Sequence, residues 1–277
     1  MENKIINVNS IFRDTNIYPN ASHFKINLPD TIKNICYMKI TSVEIGNVNS
    51  TFSNFRNNNS FKILTNSGAN EDTINIGEGN FTSDILMTSL QNQLDVINTS
   101  RTVDISIDID IVSGKLFFSC TSEITLDFSR TGNTDYKPLK YYLGYNNDIN
   151  TGTTVMADNV LNLLGVSYIY LNINDISNVI DEKVPNSFTK IVTNVEKFNT
   201  VYLSEGDFNS KDKVFRSPID LSYLEIKLVD YLNNELTYNN FDYSFTLEVG
   251  YIYDLKLYKE INNKGEPNGD IRSKFSY

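Results

Sequence analysis

The sequence predicts an antiparallel all-β chain, a jelly-roll-like β-sandwich with long loops, from three observations. The first is period-two alternation. In FDYSFTLEVGYIYDLKL, residues 241–257, every odd position from Phe241 to Leu257 is apolar or aromatic and the even positions are mostly polar. Side chains alternate faces along a strand, so this stretch reads as one long strand with one buried face, bent near Gly250. The second is composition: 17 Tyr and 16 Phe without a single Trp, in a chain rich in isoleucine and asparagine, suit pleated faces joined by turns. The third is the scarcity of helix. One substantial amphipathic segment cannot supply the repeated crossovers of a parallel sheet, whereas about ten short strands between polar loops suit two antiparallel layers.

In chain order, Phe24, Ile26 and Leu28 alternate in a first strand that Pro29 is expected to stop. Residues 35–46 and 60–64 follow as strands. In FTSDILMTSLQNQLDVI, Phe81, Ile85, Leu86, Leu90, Leu94 and Ile97 recur at helical spacing. With Thr82 or Ser83 as N-cap, this predicts an amphipathic helix over 83–97. VDISIDIDI puts Val103, Ile105, Ile107, Ile109 and Ile111 on one strand face, and Ser113-Gly114 turns it into KLFFS as a hairpin. A helical turn at 137–143 has Pro138 near its start and Gly144 at its end. Strands are then expected at 123–128, 166–176, 188–193 and 200–204, and in LSYLEIKLVD, where Leu224, Ile226 and Leu228 share a face. The loops are too evenly spread to mark a boundary, so the expected organisation is an arm at 1–22, one domain with insertions at 23–260 and a polar tail at 261–277.

The formal charge of −10 disfavours direct nucleic-acid binding, which needs clustered Lys and Arg to displace counterions. Residues 1–20 hold no apolar signal-peptide core, and no apolar run approaches the roughly 20 residues of a membrane span. A soluble, cytoplasmically made chain is therefore expected. Cys36 and Cys120 match no metal or redox spacing and read as buried free thiols.

Chemistry is hard to find. The single histidine, His23, has no triad motif around it. GEG at 77–79 lacks the third glycine and the lysine of a phosphate loop and reads as a turn. Asp104, Asp108 and Asp110 lie on one strand face, neighbours roughly 7 Å apart, and read as a solvated acidic row in preference to a calcium site. Tyrosines at 136, 141, 142, 145, 168, 170, 251, 253 and 258 divide between core positions and an interface surface. No catalytic, cofactor-binding or metal residue is assigned, and no enzyme activity is expected.

The opening stretch, SIFRDTNIYPNASHFKINLP, carries Ser10, Arg13, Asp14, Tyr18, Pro19, Asn20, Phe24, Ile26, Leu28 and Pro29. This order resembles the start of the minor capsid and penton-type proteins of nucleocytoplasmic large DNA viruses. ICYMKITSVEIGNVNSTFS, INIGEGNFTSDILMTSLQNQL, LKYYLGY and FDYSFTLEV resemble further segments of that family in the same order. One departure is VDYLNNEL, where Asn233-Asn234 replaces a turn glycine and can make the same turn. The resemblance implies a structural role in the virion capsid, assembled in the host cytoplasm. The implied partners are the major capsid protein and neighbouring minor capsid subunits, or further copies of this chain, five if it is a penton. It also implies that residues 1–22 leave the sandwich to grip a neighbour, with Arg13 paired to a carboxylate and Tyr18-Pro19 setting the exit angle. The alternative for that stretch is a turn packed on its own domain. The alternative for the whole chain is a β-sandwich attachment or glycan-binding module of a fibre or lectin-like head.

Overall fold

The computed structural model describes residues 2–132, 135–179, 181–207, 212–236, 241–253 and 256. The tail expected at 261–277 and Tyr258 lie outside them. The strands are β1 (Glu2–Asn9), β2 (His23–Gly46), β3 (Ser60–Thr65), β4 (Asn70–Asn75), β5 (Ser106–Asp110), β6 (Lys115–Asp127), β7 (Ile149–Met156), β8 (Tyr168–Ile173), β9 (Thr189–Val192), β10 (Thr200–Ser204), β11 (Lys213–Val229) and β12 (Ser244–Tyr251). The helices are α1 (Ser83–Arg101) and α2 (Leu139–Leu143), with short 3-10 turns at Ser10–Phe12 and Glu205–Asp207. The described residues are mostly β, and every strand pairing among them is antiparallel.

Where one domain with insertions was expected, the chain divides into two compact units: Met1–Val48 with Ser167–Tyr277, and Asn49–Val166. The reason is that the inserted segment has a sheet, a helix and a core of its own.

The first unit is built on a seven-stranded sheet in the order β1-β12-β2-β11-β8-β9, with β10 also pairing β2. Residues 2–9, expected within an arm, form its edge strand, in unbroken register with β12 from Glu2↔Tyr251 to Asn9↔Ser244. Pro29 does not stop the first strand. It falls between the pairs Asn27↔Tyr223 and Ile32↔Leu221, where the register shifts and no ladder donor is needed. Pro218 on the partner strand sits in a second shift, between Val214 and Ile219. Such bulges bend a long strand without ending it, so β2 runs 24 residues. The alternation read from sequence recurs in the core: Leu224, Ile226, Leu228, Phe245, Leu247 and Val249 are all buried. Gly250 is required by a close approach, since a Cβ there would lie 2.0 Å from Cε1 of Tyr37.

The second unit has a five-stranded sheet in the order β4-β3-β6-β5, with β7 also pairing β6. The Thr82 side chain accepts from the amide of Ile85, so α1 begins at the cap read from sequence. Leu86, Leu90, Leu94 and Ile97 join Phe61, Ile63, Phe118 and Leu126 in the core of this unit. Ile85, expected on that face, is exposed, because it lies one position off the i, i+4 stripe that contacts the sheet. Gly144 ends α2 at φ 90°, and a Cβ there would lie 2.3 Å from the carbonyl oxygen of Asn159.

Candidate interaction surface

The conspicuous polar network of the first unit lies in the opening stretch. Ser10 is fully buried. Its amide donates to the Tyr243 carbonyl and its hydroxyl accepts from the Tyr243 amide, both at 2.9 Å. The same hydroxyl donates to Asp242 Oδ1 at 2.7 Å. Arg13 meets that oxygen at 2.5 Å and donates to the carbonyls of Ser10 (2.9 Å), Tyr18 (3.0 Å) and Pro19 (3.3 Å). Its side chain is only 6% exposed. Arg13 thus finds a carboxylate, but inside its own unit. Asp14 closes the turn locally, its carbonyl accepting from Ile17 and Tyr18 and its carboxylate from the Asn16 amide. Residues 10–22 thus form a turn that packs on their own unit, the arrangement given above as the alternative to an arm.

Beside it, both ring nitrogens of His23 face carboxylates: Nε2 is 3.1 Å from Glu225 and Nδ1 is 3.2 Å from Glu235. Lys227 is 3.2 Å from Glu225. The hydrogen bond from His23, then that from Lys227, holds the Glu225 carboxyl below its ordinary range. All four side chains are partly exposed surface groups on strands or the following turn and form one charge cluster.

The acidic row does not converge on a point. Asp104 is taken up by Cys120 and Thr121, Asp110 by its own turn, and Asp108 by the Ile109 amide. GEG is a turn, with Glu78 accepting from the Asn54 amide and Gly79 bridging Phe52. Tyr136, Tyr142, Tyr145 and Tyr170 are buried, and Tyr141 and Tyr253 are exposed. Among the described residues no cluster of His, Cys, Asp and Glu could hold a metal ion, and no helix is long and apolar enough to cross a membrane.

What the surface does carry is exposed apolar side chains at strand ends. A groove of about 300 Å³ in the first unit is lined by Asn9, Ile11, Glu44, Val48, Phe198 and Phe241 among others. Ile11, Phe198 and Phe241 are 57%, 72% and 51% exposed. Apolar groups grouped on a polar-rimmed surface suit macromolecular contact. Sequence alternation had put Phe241 on a buried strand face; β12 begins only at Ser244. Ser10 was legible only as part of the opening motif and Asp242 carried no sequence signal, because the contacts that organise this end join residues more than 230 positions apart.

No family model matches the chain, and no curated protein does. Among solved structures it is similar to the crystal structure of the selenomethionine-labelled mavirus penton protein. That match has 12% sequence identity and a TM-score of 0.41, and covers 91% of this chain and 100% of that one.

Proposed function

We propose that this chain is a non-enzymatic structural protein of a large-DNA-virus capsid, a minor capsid or penton-type subunit that packs against capsomers through its loops. The observation that carries the reading is the ordered set of motifs from Ser10 to Val249. The opening motif corresponds to one structural device, in which Arg13 ties the Tyr18-Pro19 turn to Asp242 ahead of β2. Exposed apolar side chains at strand ends support it, because a shell protein needs contact area held on a rigid frame. Synthesis and assembly in the host cytoplasm and a place in the virion follow from the same reading.

The test is immunoelectron microscopy of purified particles of the source virus, with antibodies raised against this chain. Label on the shell is expected. Unlabelled shells, both intact and after mild disruption, together with retention of the chain on a glycan array, would replace the reading with an attachment module.

A further inference from the structure

The turn between β5 and β6 is anomalous. Ile111, which alternation had placed on a buried face, is 97% exposed, and Val112 beside it is 95% exposed. Turn tips favour Gly, Asn, Asp and Ser, and two adjacent β-branched side chains there bury nothing in their own fold. The tip is nevertheless firmly built. The Asp110 carboxylate accepts from the amides of Val112 and Ser113 at 3.3 and 3.2 Å and from the Ser113 hydroxyl. The Gly114 amide donates to the Asp110 carbonyl at 2.7 Å. Exposed Val160 lies beside it, 3.6 Å from where a Cβ on Gly114 would stand. Asp108, exposed on the same strand, gives this apolar knob an acidic flank.

The first unit holds a cavity of about 330 Å³ lined by Lys4, Ile32, Lys33, Tyr251, Ile252 and Tyr253 among others. Its lining is mixed, Ile32, Ile252 and the rings of Tyr251 and Tyr253 standing beside Thr31, Asn34 and the two lysines. Lys4 and Lys33 are both exposed, and neither forms an ion pair among the described residues. Two acids stand beside it, each accepting one hydrogen bond, Glu2 from the Tyr251 hydroxyl at 2.7 Å and Asp220 from the Asn34 amide at 3.0 Å, as Asp108 does from the Ile109 amide at 2.7 Å.

We propose that the hairpin tip of one copy seats in this cavity of a second copy. Ile111 and Val112 meet Ile32, Ile252 and the tyrosine rings, and Asp108 meets Lys4 and Lys33. The occupant is a second copy because one chain carries both halves, apolar against apolar and acid against unpaired base, in a protein whose net charge of −10 otherwise makes its copies repel. The contact is heterologous: each copy keeps one free tip and one free cavity, so copies add head to tail until a ring closes. It goes beyond the capsid reading and stands whether or not the chain is a shell protein.

The test is sedimentation velocity of the full chain over a concentration series. The natural chain is expected to form species larger than a dimer. The double variants I111S/V112S and K4E/K33E each stay monomeric, with thermal melts unchanged because all four side chains are exposed. Mixed together, they form dimers and nothing larger, since one intact tip and one intact cavity remain. Asp108→Lys combined with Lys33→Glu in one chain regains at least tenfold of the affinity lost by either alone. A natural chain that is monomeric throughout, variants that assemble like it, or a mixture that stays monomeric each overturn the proposal.

Discussion

Arg13 and Asp242 stand 229 positions apart in the chain and meet at 2.5 Å, with the Arg13 side chain only 6% exposed. This pair ties the N-terminal turn to a residue two positions before β12, the strand that β1 pairs with. Hydrogen bonds to charged groups contribute more than neutral ones, and stranding one partner exposes the full desolvation cost of the other. Arg13→Ala is expected to lower stability by roughly 2 kcal/mol and to speed amide exchange over residues 10–22, leaving amides of the second unit unchanged. Unaltered exchange in 10–22 would show that the turn holds without the pair.

Gly144 meets two separate restrictions, its φ of 90° and the Asn159 carbonyl 2.3 Å from any Cβ. Gly144→Ala therefore strains the backbone and forces the 157–160 segment to move. The expected outcome is loss of the Gly144–Asn159 backbone hydrogen bonding in exchange experiments and a lower melting temperature. A melt equal to that of the natural chain would contradict the geometry.

Leu90 is fully buried between α1 and the second sheet. Leu90→Ala removes its transfer energy and leaves a cavity, a loss of about 2–5 kcal/mol, measurable by urea unfolding. Ile85→Ala, on the exposed side of the same helix, is expected to change stability by less than about 0.5 kcal/mol.

The Glu225 carboxyl is held below its ordinary value of 4.5 by His23 and Lys227. A depressed folded-state value means the charged form is favoured by folding, so its contribution is present above pH 4.5 and disappears as pH falls through the folded value. Melting temperatures of the natural chain and Glu225→Gln should differ at pH 6 and converge on acidification. A gap that widens below pH 4 would reverse the sign.

Burial pushes the Cys36 thiol up to about 11. Thiolate is the reactive form, so in native protein at pH 8 Cys36 should resist alkylation until the chain unfolds. Mass spectrometry after iodoacetamide treatment reads this directly, and rapid native labelling of Cys36 would contradict its burial.

Local patterns were legible in the sequence and long-range ones were not. Alternation marked the buried faces of β11 and β12, the Thr82 cap marked the start of α1, and Gly144 marked the end of α2. Asn233 does take a left-handed φ of 66° in the turn expected of it. These succeed because each depends on residues a few positions apart. Alternation does not say where a strand gives way to a turn, so Ile111 and Phe241 were placed inside and are found exposed. Pro29 misled because a bulge spares it the donor it lacks. The two units escaped notice because the first is discontinuous, and no shift in composition marks residues 48 or 167. At the surface, Arg13 announced itself through its motif, while Ser10's role and Asp242 became visible only once β12 was aligned beside β1.

The capsid assignment is tested most directly by quantitative peptide mass spectrometry of gradient-purified particles of the source virus. A structural subunit predicts peptides of this chain at a fixed ratio to the major shell protein, unchanged through repeated purification. Their absence, or a ratio that falls with each gradient, would contradict a place in the shell.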